Sequence, residues 1–367
     1  MSSRPPSSPP KLELTGTRVL DALLPAGGVA IVLALVHAAP LAVFVFAAIG
    51  LIPLAAVLGH ATSALAARLG PLAAGLVQAT LGNASELILG LAALSAGLVD
   101  VVKASLTGSI ISNLLMVLGL SILAGGWGRT KQTLDPAVAR TNVSMLFLAS
   151  VGLVVPAVFA LGVYGHLTGN NPVVQHLSVW TAAILIAIYA ASLYFQLNAA
   201  TRSRAGVITA NPTFDAVAHP TVVMLVAVVV IAVLSRLLVD ELQTAKLAFH
   251  GTDLFWGGVV FALIGNAAEH GVAVAAARRD EMDLAMAIGV GSSLQIALLM
   301  APLLVFASLL MGHPMSLVFT GIEIVAVVLS VGMVGMIALD GETNWLEGAQ
   351  LIAVYAILVV AFYFVPG

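Results

Sequence analysis

Cysteine is absent from all 367 residues, which excludes disulfides, thiolate metal sites and cysteine nucleophiles together. Charge is nearly as scarce. Only 8% of residues are Asp, Glu, Lys or Arg, where soluble domains carry about 25%. The net charge of −3 leaves no basic field to attract nucleic acid. Neither His-Glu-x-x-His nor Gly-x-Ser-x-Gly occurs, so the motifs of zinc peptidases and serine hydrolases are missing. Missing too are segments of about ten residues with alternating polarity, the mark of a transmembrane β-barrel.

Apolar sequence fills the space. Hydrophobic residues make up 60% of the chain, in runs long enough to cross a bilayer as helices of about 20 residues. Breakers divide these runs into eleven expected spans, at 23–37, 40–60, 71–97, 103–124, 140–162, 177–197, 217–239, 252–276, 283–308, 315–337 and 346–365. The expected fold class is therefore an all-α polytopic membrane protein. Residues 1–22, polar and proline-rich, read as a disordered tail, and the polar stretch at 198–216 reads as a linker. With the N-terminus in the cytoplasm, eleven of the fourteen basic residues fall on the inside, leaving Lys103, Arg236 and Lys246 outside. That bias predicts a cytoplasmic N-terminus and an external C-terminus.

Two stretches break the apolar pattern in the same way: "LGNASELILG" at 81–90 and "IGNAAEHGVA" at 264–273. Gly82, Asn83 and Glu86 recur 183 residues later as Gly265, Asn266 and Glu269. The same offset carries Asp100 to Asp283, Gly108 to Gly291, Ser109 to Ser292 and Leu115 to Leu298. A constant displacement on Gly, Asn, Glu, Asp and Ser implies a duplicated unit. The unit holds five spans, residues 40–197 and 217–367, with residues 23–39 as a peripheral first helix outside it. Five is odd, so the copies enter the membrane in opposite senses, an arrangement characteristic of secondary transporters.

A carboxylate at the centre of a span costs about 2.5–3.5 kcal/mol on insertion scales, so it faces a partner or a wet cavity. Asn83 lies on the same helical face as Glu86. Gly82 and Gly265 weaken the helix and permit close approach, so carbonyls there are expected to turn toward a ligand. Glu86, Glu269, Asn83, Asn266, Ser109, Ser112, Ser292 and Ser293, with Asn113 and Gln295 nearby, all supply oxygen. That inventory suits a hard divalent cation such as calcium, which takes six to eight oxygen ligands, better than zinc or copper. Two carboxylates in one dry site cannot both stay charged without a counterion. Protons and Ca2+ then compete for the same pair, which is the requirement for an antiporter. His270 follows Glu269 and has no counterpart in the first copy, where Leu87 stands. It reads either as a proton relay or as a packed neutral ring. Glu323 is a further intramembrane acid, whose alternatives are an auxiliary proton or gating role and an interhelical bond.

At these motifs the chain resembles the cation/proton exchanger family of the calcium:cation antiporter superfamily. The resemblance rests on "GNASELILGLAAL" and the residues that follow (82–119), and on "GNAAEHGVAVAAARRDEMDLAMAIGVGSSLQIALLMAP" (265–302), and it extends over about residues 40–365. It implies one peripheral helix plus two inverted five-helix repeats, with the cation site between the central helices. It also implies that Glu86 and Glu269 carry either Ca2+ or protons. Asn83, Asn266, Ser109, Ser292 and Gln295 would support them. No cofactor is implied beyond the transported ions. The short linker, with Asp215 as its one acid, departs from the acidic inter-repeat helix of eukaryotic members and points to a prokaryotic inner membrane. A sodium/calcium or potassium/proton exchanger of the same superfamily is the nearest alternative. A channel or an intramembrane enzyme is more remote, and homo-oligomerisation is left open.

Overall fold

The computed structural model describes residues 18–69, 71–203 and 214–365. Residues 1–17 of the expected tail (1–22) and 204–213 of the expected linker (198–216) lie outside the described residues. Residues 18–22 instead open the helix Arg18–Leu35, and 198–203 and 214–216 belong to the helices Pro172–Ser203 and Phe214–Asp240, because their apolar neighbours carry the helical pattern through them. The described chain is nearly all helix. Among the described residues, nine helices are long and apolar enough to cross a membrane, or ten if the bent pair α3 and α4 is one span. A shorter apolar helix, α1 (Arg18–Leu35), covers the first expected run. The others are α2 (Pro40–Ala66), α3 (Pro71–Leu81), α4 (Ala84–Ser95), α5 (Val99–Gly126), α6 (Pro136–Tyr164), α7 (Pro172–Ser203), α8 (Phe214–Asp240), the short α9 (Leu242–Phe249), α10 (Asp253–Arg278), α11 (Met282–Leu310), α12 (Gly321–Asp340) and α13 (Trp345–Phe364). A two-residue antiparallel pairing of β1 (Gln132–Thr133) with β2 (Glu342–Thr343) is the one strand pairing among the described residues.

Local chemistry sets several helix starts. Thr320 and Glu323 form a capping box at α12, and Asn344 and Glu347 form another at α13. In each, the cap side chain accepts from an orphan N–H of the first turn while the glutamate reaches back. The cap at Thr320 explains why this span runs from 321 to 340 rather than from 315 to 337. Pro40 occupies the first position of α2, where its missing N–H costs nothing.

The repeat is visible in backbone geometry as well as in residue identity. Helices α5 and α11 begin at Val99 and Met282, 183 residues apart. The turns before them match. Gly97 has φ +76° and Asp280, its equivalent, φ +68°. Gly97 N–H donates to Leu94 O at 2.9 Å, and Asp280 N–H donates to Ala277 O at 3.1 Å. Glycine adopts the left-handed region freely, whereas aspartate does so at some cost. The second copy therefore keeps the turn although it lacks the residue that makes it easy. Both helices also widen into a π turn at matching places, Ser112–Val117 in α5 and Ile296–Met300 in α11. Such insertions often mark functional positions in helices.

The core lies where the copies meet. Gly108 of α5 sits against the backbone of Gly258 in α10, so close that a Cβ would fall on the Gly258 carbonyl. Small residues allow this approach, which gives packing in a solvent without a hydrophobic drive between helices. Ser293 Oγ donates to Ile110 O at 3.4 Å. These two residues occupy equivalent repeat positions, and they touch as residues beside a two-fold axis do. Around this core, α2 packs along both α1 and α8, and α8 also lies on α4.

Candidate cation site

The two copies treat their glycine–asparagine step differently. In the first, α3 ends at Leu81 and α4 starts at Ala84, with a 41° bend between them. Asn83 leaves the helical region at φ −113°, ψ 38°. The carbonyl of Ala79, which an unbroken helix would pair with the Asn83 N–H, accepts instead from Gln295 Nε2 at 2.6 Å and from the Tyr189 hydroxyl at 3.2 Å. Buried polar groups are expensive to leave unpaired, so these two side chains offset the cost of the break. In the second copy the expected break at Gly265 does not occur. Helix α10 runs unbroken from Ala262 to Arg278, and Asn266 Nδ2 donates to Ala262 O at 2.7 Å, the position equivalent to Ala79. The reason Gly265 is glycine is the close approach. A Cβ there would come within 3.0 Å of Glu86 Cγ.

Glu86 therefore lies across Gly265, one helical turn before Glu269 on the same face. Both glutamates are half-buried. Ser85 Oγ donates to Glu86 Oε2 at 2.9 Å. Glu269 lies within electrostatic reach of the Glu86 carboxylate and close to Ser292. Its Oε2 has no hydrogen-bond partner among the described residues. The structure thus brings the two repeated acids into one neighbourhood.

The supporting residues cross between copies. Asn83 Nδ2 donates to the Ser292 carbonyl at 3.3 Å, whereas Asn266 Nδ2 donates to the Ser109 hydroxyl at 2.9 Å. Asn113 Nδ2 reaches Asn266 Oδ1 at 3.0 Å, leaving Asn113 Oδ1 unpartnered among the described residues. Ser112 is fully buried at the start of the π turn. Ser293 shares its one hydroxyl proton between Gly289 O of its own helix at 2.9 Å and the more distant Ile110 O of α5 at 3.4 Å. Gln295 brings its Oε1 to Gly82. A small cavity opens beside Glu86, lined in part by Ser105, Ser109 and Met300. Ser105 carries no repeat signature (its equivalent is Ile288), so only folding brings it here. The same holds for Tyr189.

His270 is half-buried, and its Nε2 lacks a partner among the described residues. Glu323 lies apart from the pair. Its carboxylate accepts from Thr320 N at 2.8 Å, Thr320 Oγ1 at 2.7 Å and Thr107 Oγ1 at 2.8 Å. It caps α12 and bonds that helix to α5, the interhelical alternative. Three of the acids at span ends are likewise occupied. Asp280 pairs with Arg129 at 2.8 Å, Glu281 with Arg279 at 2.9 Å, and Asp283 accepts from Asp135 N at 2.8 Å. No three acidic or histidine side chains gather among the described residues. The available donor set is two carboxylates with amide, hydroxyl and carbonyl oxygens.

The contact at Gly265 gives a direct test of this geometry. Gly265→Ala is expected to push the Glu86 side chain aside by a few tenths of an ångström. Cation affinity should fall several-fold with thermal stability little changed, because a single methyl facing a flexible side chain that can yield belongs at the low end of the usual overpacking cost of about 1–3 kcal/mol. Unchanged affinity in binding titrations would show that Glu86 does not rest on Gly265.

A helical membrane bundle built on a duplicated hairpin, with one glutamate from each copy meeting among oxygen donors, defines a membrane transporter of small cations. The sequence pattern of the sodium/calcium exchanger protein family matches residues 39–198 and 219–364, and the chain belongs to that family. It is 42% identical over 342 residues to a Ca(2+)/H(+) antiporter of Synechocystis sp., covering 88% of this chain and 91% of that protein. It is 38% identical over 353 residues to the Ca(2+)/H(+) antiporter ChaA of Bacillus subtilis, covering 93% and 98%. Its fold matches the solved structure of native YfkE with a TM-score of 0.82 at 36% identity, over 94% of this chain and all of that one.

Proposed function

We propose that this protein exchanges Ca2+ for H+ across a membrane, with Glu86 and Glu269 binding either two protons or one calcium ion. The observation that carries the reading is the seating of Glu86 on Gly265, one turn from Glu269. Two like charges at that separation repel in a medium that screens them poorly. A divalent cation neutralises both, and in its absence protons do so. The loaded forms are mutually exclusive, so each half-cycle carries one or the other. Asn83, Asn266, Ser109, Ser292 and Gln295 then supply neutral oxygens, and His270, adjacent to Glu269, stands where a proton enters or leaves. Relatives named as Ca(2+)/H(+) antiporters support this choice of substrates.

Access alternates as α1, α2 and α8, which pack on one another, rock against the remaining helices; α2 contacts α10 and α8 contacts α4, the two helices that bear the glutamates. The distribution of basic residues favours a cytoplasmic N-terminus and an external C-terminus, and the short linker favours a prokaryotic inner membrane. The domain limits are those of the sequence reading: a peripheral helix at 23–39 and repeats at 40–197 and 217–367.

The test is calcium uptake into proteoliposomes of purified protein. An outward-directed proton gradient should drive uptake, and collapsing it with a protonophore and a potassium clamp should stop it. A sodium gradient of equal size should drive little. Uptake driven equally by sodium would replace protons with sodium as the counter-ion.

A further inference from the structure

An open groove runs along the outside of the bundle between the C-terminal part of α5 and the last two turns of α10. Its wall is apolar, from Leu120, Leu123 and Val274, and its rim carries Trp127, Arg129 and Arg278. Trp127 is 78% exposed. Arg278 is exposed and has no ion-pair partner among the described residues, while Arg129 shares its charge with Asp280. Neither arginine belongs to the cation site.

Two properties exclude a route for the transported ion. Guanidinium groups at the mouth repel a divalent cation, and an aliphatic wall offers it no oxygen. The same two properties suit an amphiphile of the opposite charge. Bilayer is the solvent along the outer face of helices such as α5 and α10, so the apolar wall is covered by acyl chain. The exposed indole at the rim belongs to the side-chain type that is enriched at membrane–water interfaces. A guanidinium beside it can form a bidentate pair with a phosphate. Basic pockets between transmembrane helices recognise anionic headgroups in this way.

We propose that the groove between α5 and α10 is a binding site for an anionic phospholipid, with the phosphate on Arg278 and Arg129 and an acyl chain along Leu120, Leu123 and Val274. Because Arg278 ends the helix that carries Glu269, an occupied site would steady the inner end of that helix.

The experiment reconstitutes the full chain in phosphatidylcholine with and without phosphatidylglycerol, re-extracts it in mild detergent and counts retained lipid by native mass spectrometry. The wild type is expected to retain phosphatidylglycerol in preference to phosphatidylcholine. Arg278→Gln should lower that retention about fivefold, the worth of one basic side chain at an anionic surface. Val274→Trp, which keeps both arginines and fills the groove, should lower it as well. Equal retention by the wild type and both variants would overturn the proposal. So would displacement of the lipid by inorganic phosphate alone, which would make this a site for free anions. A change of oligomeric state in the variants with lipid retention unaltered would also overturn it, and would assign the groove to a second copy of the chain.

Discussion

Glu269→Gln is expected to reduce proton-driven calcium uptake to the level of protein-free vesicles, and Glu86→Gln to do the same. Glutamine keeps the size and one carbonyl oxygen of the side chain, so packing against Gly265 survives. What disappears is one negative charge and one exchangeable proton. Removing a charged partner from a buried set costs about 3–5 kcal/mol, which is more than a hundredfold in cation affinity. Coupling suffers as well, since a site with one ionisable group cannot exchange two protons for one divalent ion. Each variant should therefore lose both calcium binding, by titration calorimetry, and calcium-dependent proton release, by a pH dye. Retention of either activity in Glu269→Gln would separate that carboxylate from the transport cycle. Glu269 is the sharper test of the two. Its free Oε2 has no other task among the described residues, whereas Glu86 is partly engaged by Ser85.

Gly108→Val should be the most damaging change away from the two acids. The backbone of α5 at Gly108 touches that of α10 at Gly258, and Gly257 packs with equal intimacy on Val101 and Ala104. Neither surface has a flexible side chain that could yield. Overpacking usually costs about 1–3 kcal/mol, and an isopropyl group against backbone belongs at or above the top of that range. The helices must separate, and Ser109, the next residue, moves with them, breaking its bond to Asn266. Lower yield of monodisperse protein and a lower Tm are expected. Gly108→Ala should give a milder form of the same defect, with weaker calcium binding in the protein that does fold. A wild-type Tm for Gly108→Val would mean that the helices are not in contact there.

Most of the architecture was legible because a bilayer imposes strict rules on sequence. Each expected run corresponds to a described helix or bent helix pair. The turn at 96–98 and its counterpart at 279–281 obey the same 183-residue offset as the motifs. The Thr-x-x-Glu spacing of Thr320 and Glu323 also stands in the sequence, yet the span expected at 315–337 ran through it, and the capping box became evident only from the structure.

The asymmetry between the copies was not legible. Identical Gly-Asn steps suggest identical backbones, yet α3 and α4 break at Gly82 while α10 continues through Gly265. The difference is settled by partners distant in sequence. Gln295 and Tyr189 satisfy the opened carbonyl of Ala79, while Asn266 closes onto Ala262 within its own helix. Likewise Ser105 beside Glu86, and the separation of Glu323 from the acidic pair, follow from helix rotation and depth, which periodicity does not encode.

The amino-acid sequence by itself determined that the chain crosses a membrane many times, that it is duplicated, and that each half contributes one acid and one amide. These are properties of composition and spacing, and the bilayer's intolerance of unpaired polar groups makes them readable. Only the tertiary structure decided which glycine breaks a helix and which receives the opposite glutamate, because both outcomes depend on what packs across from the residue.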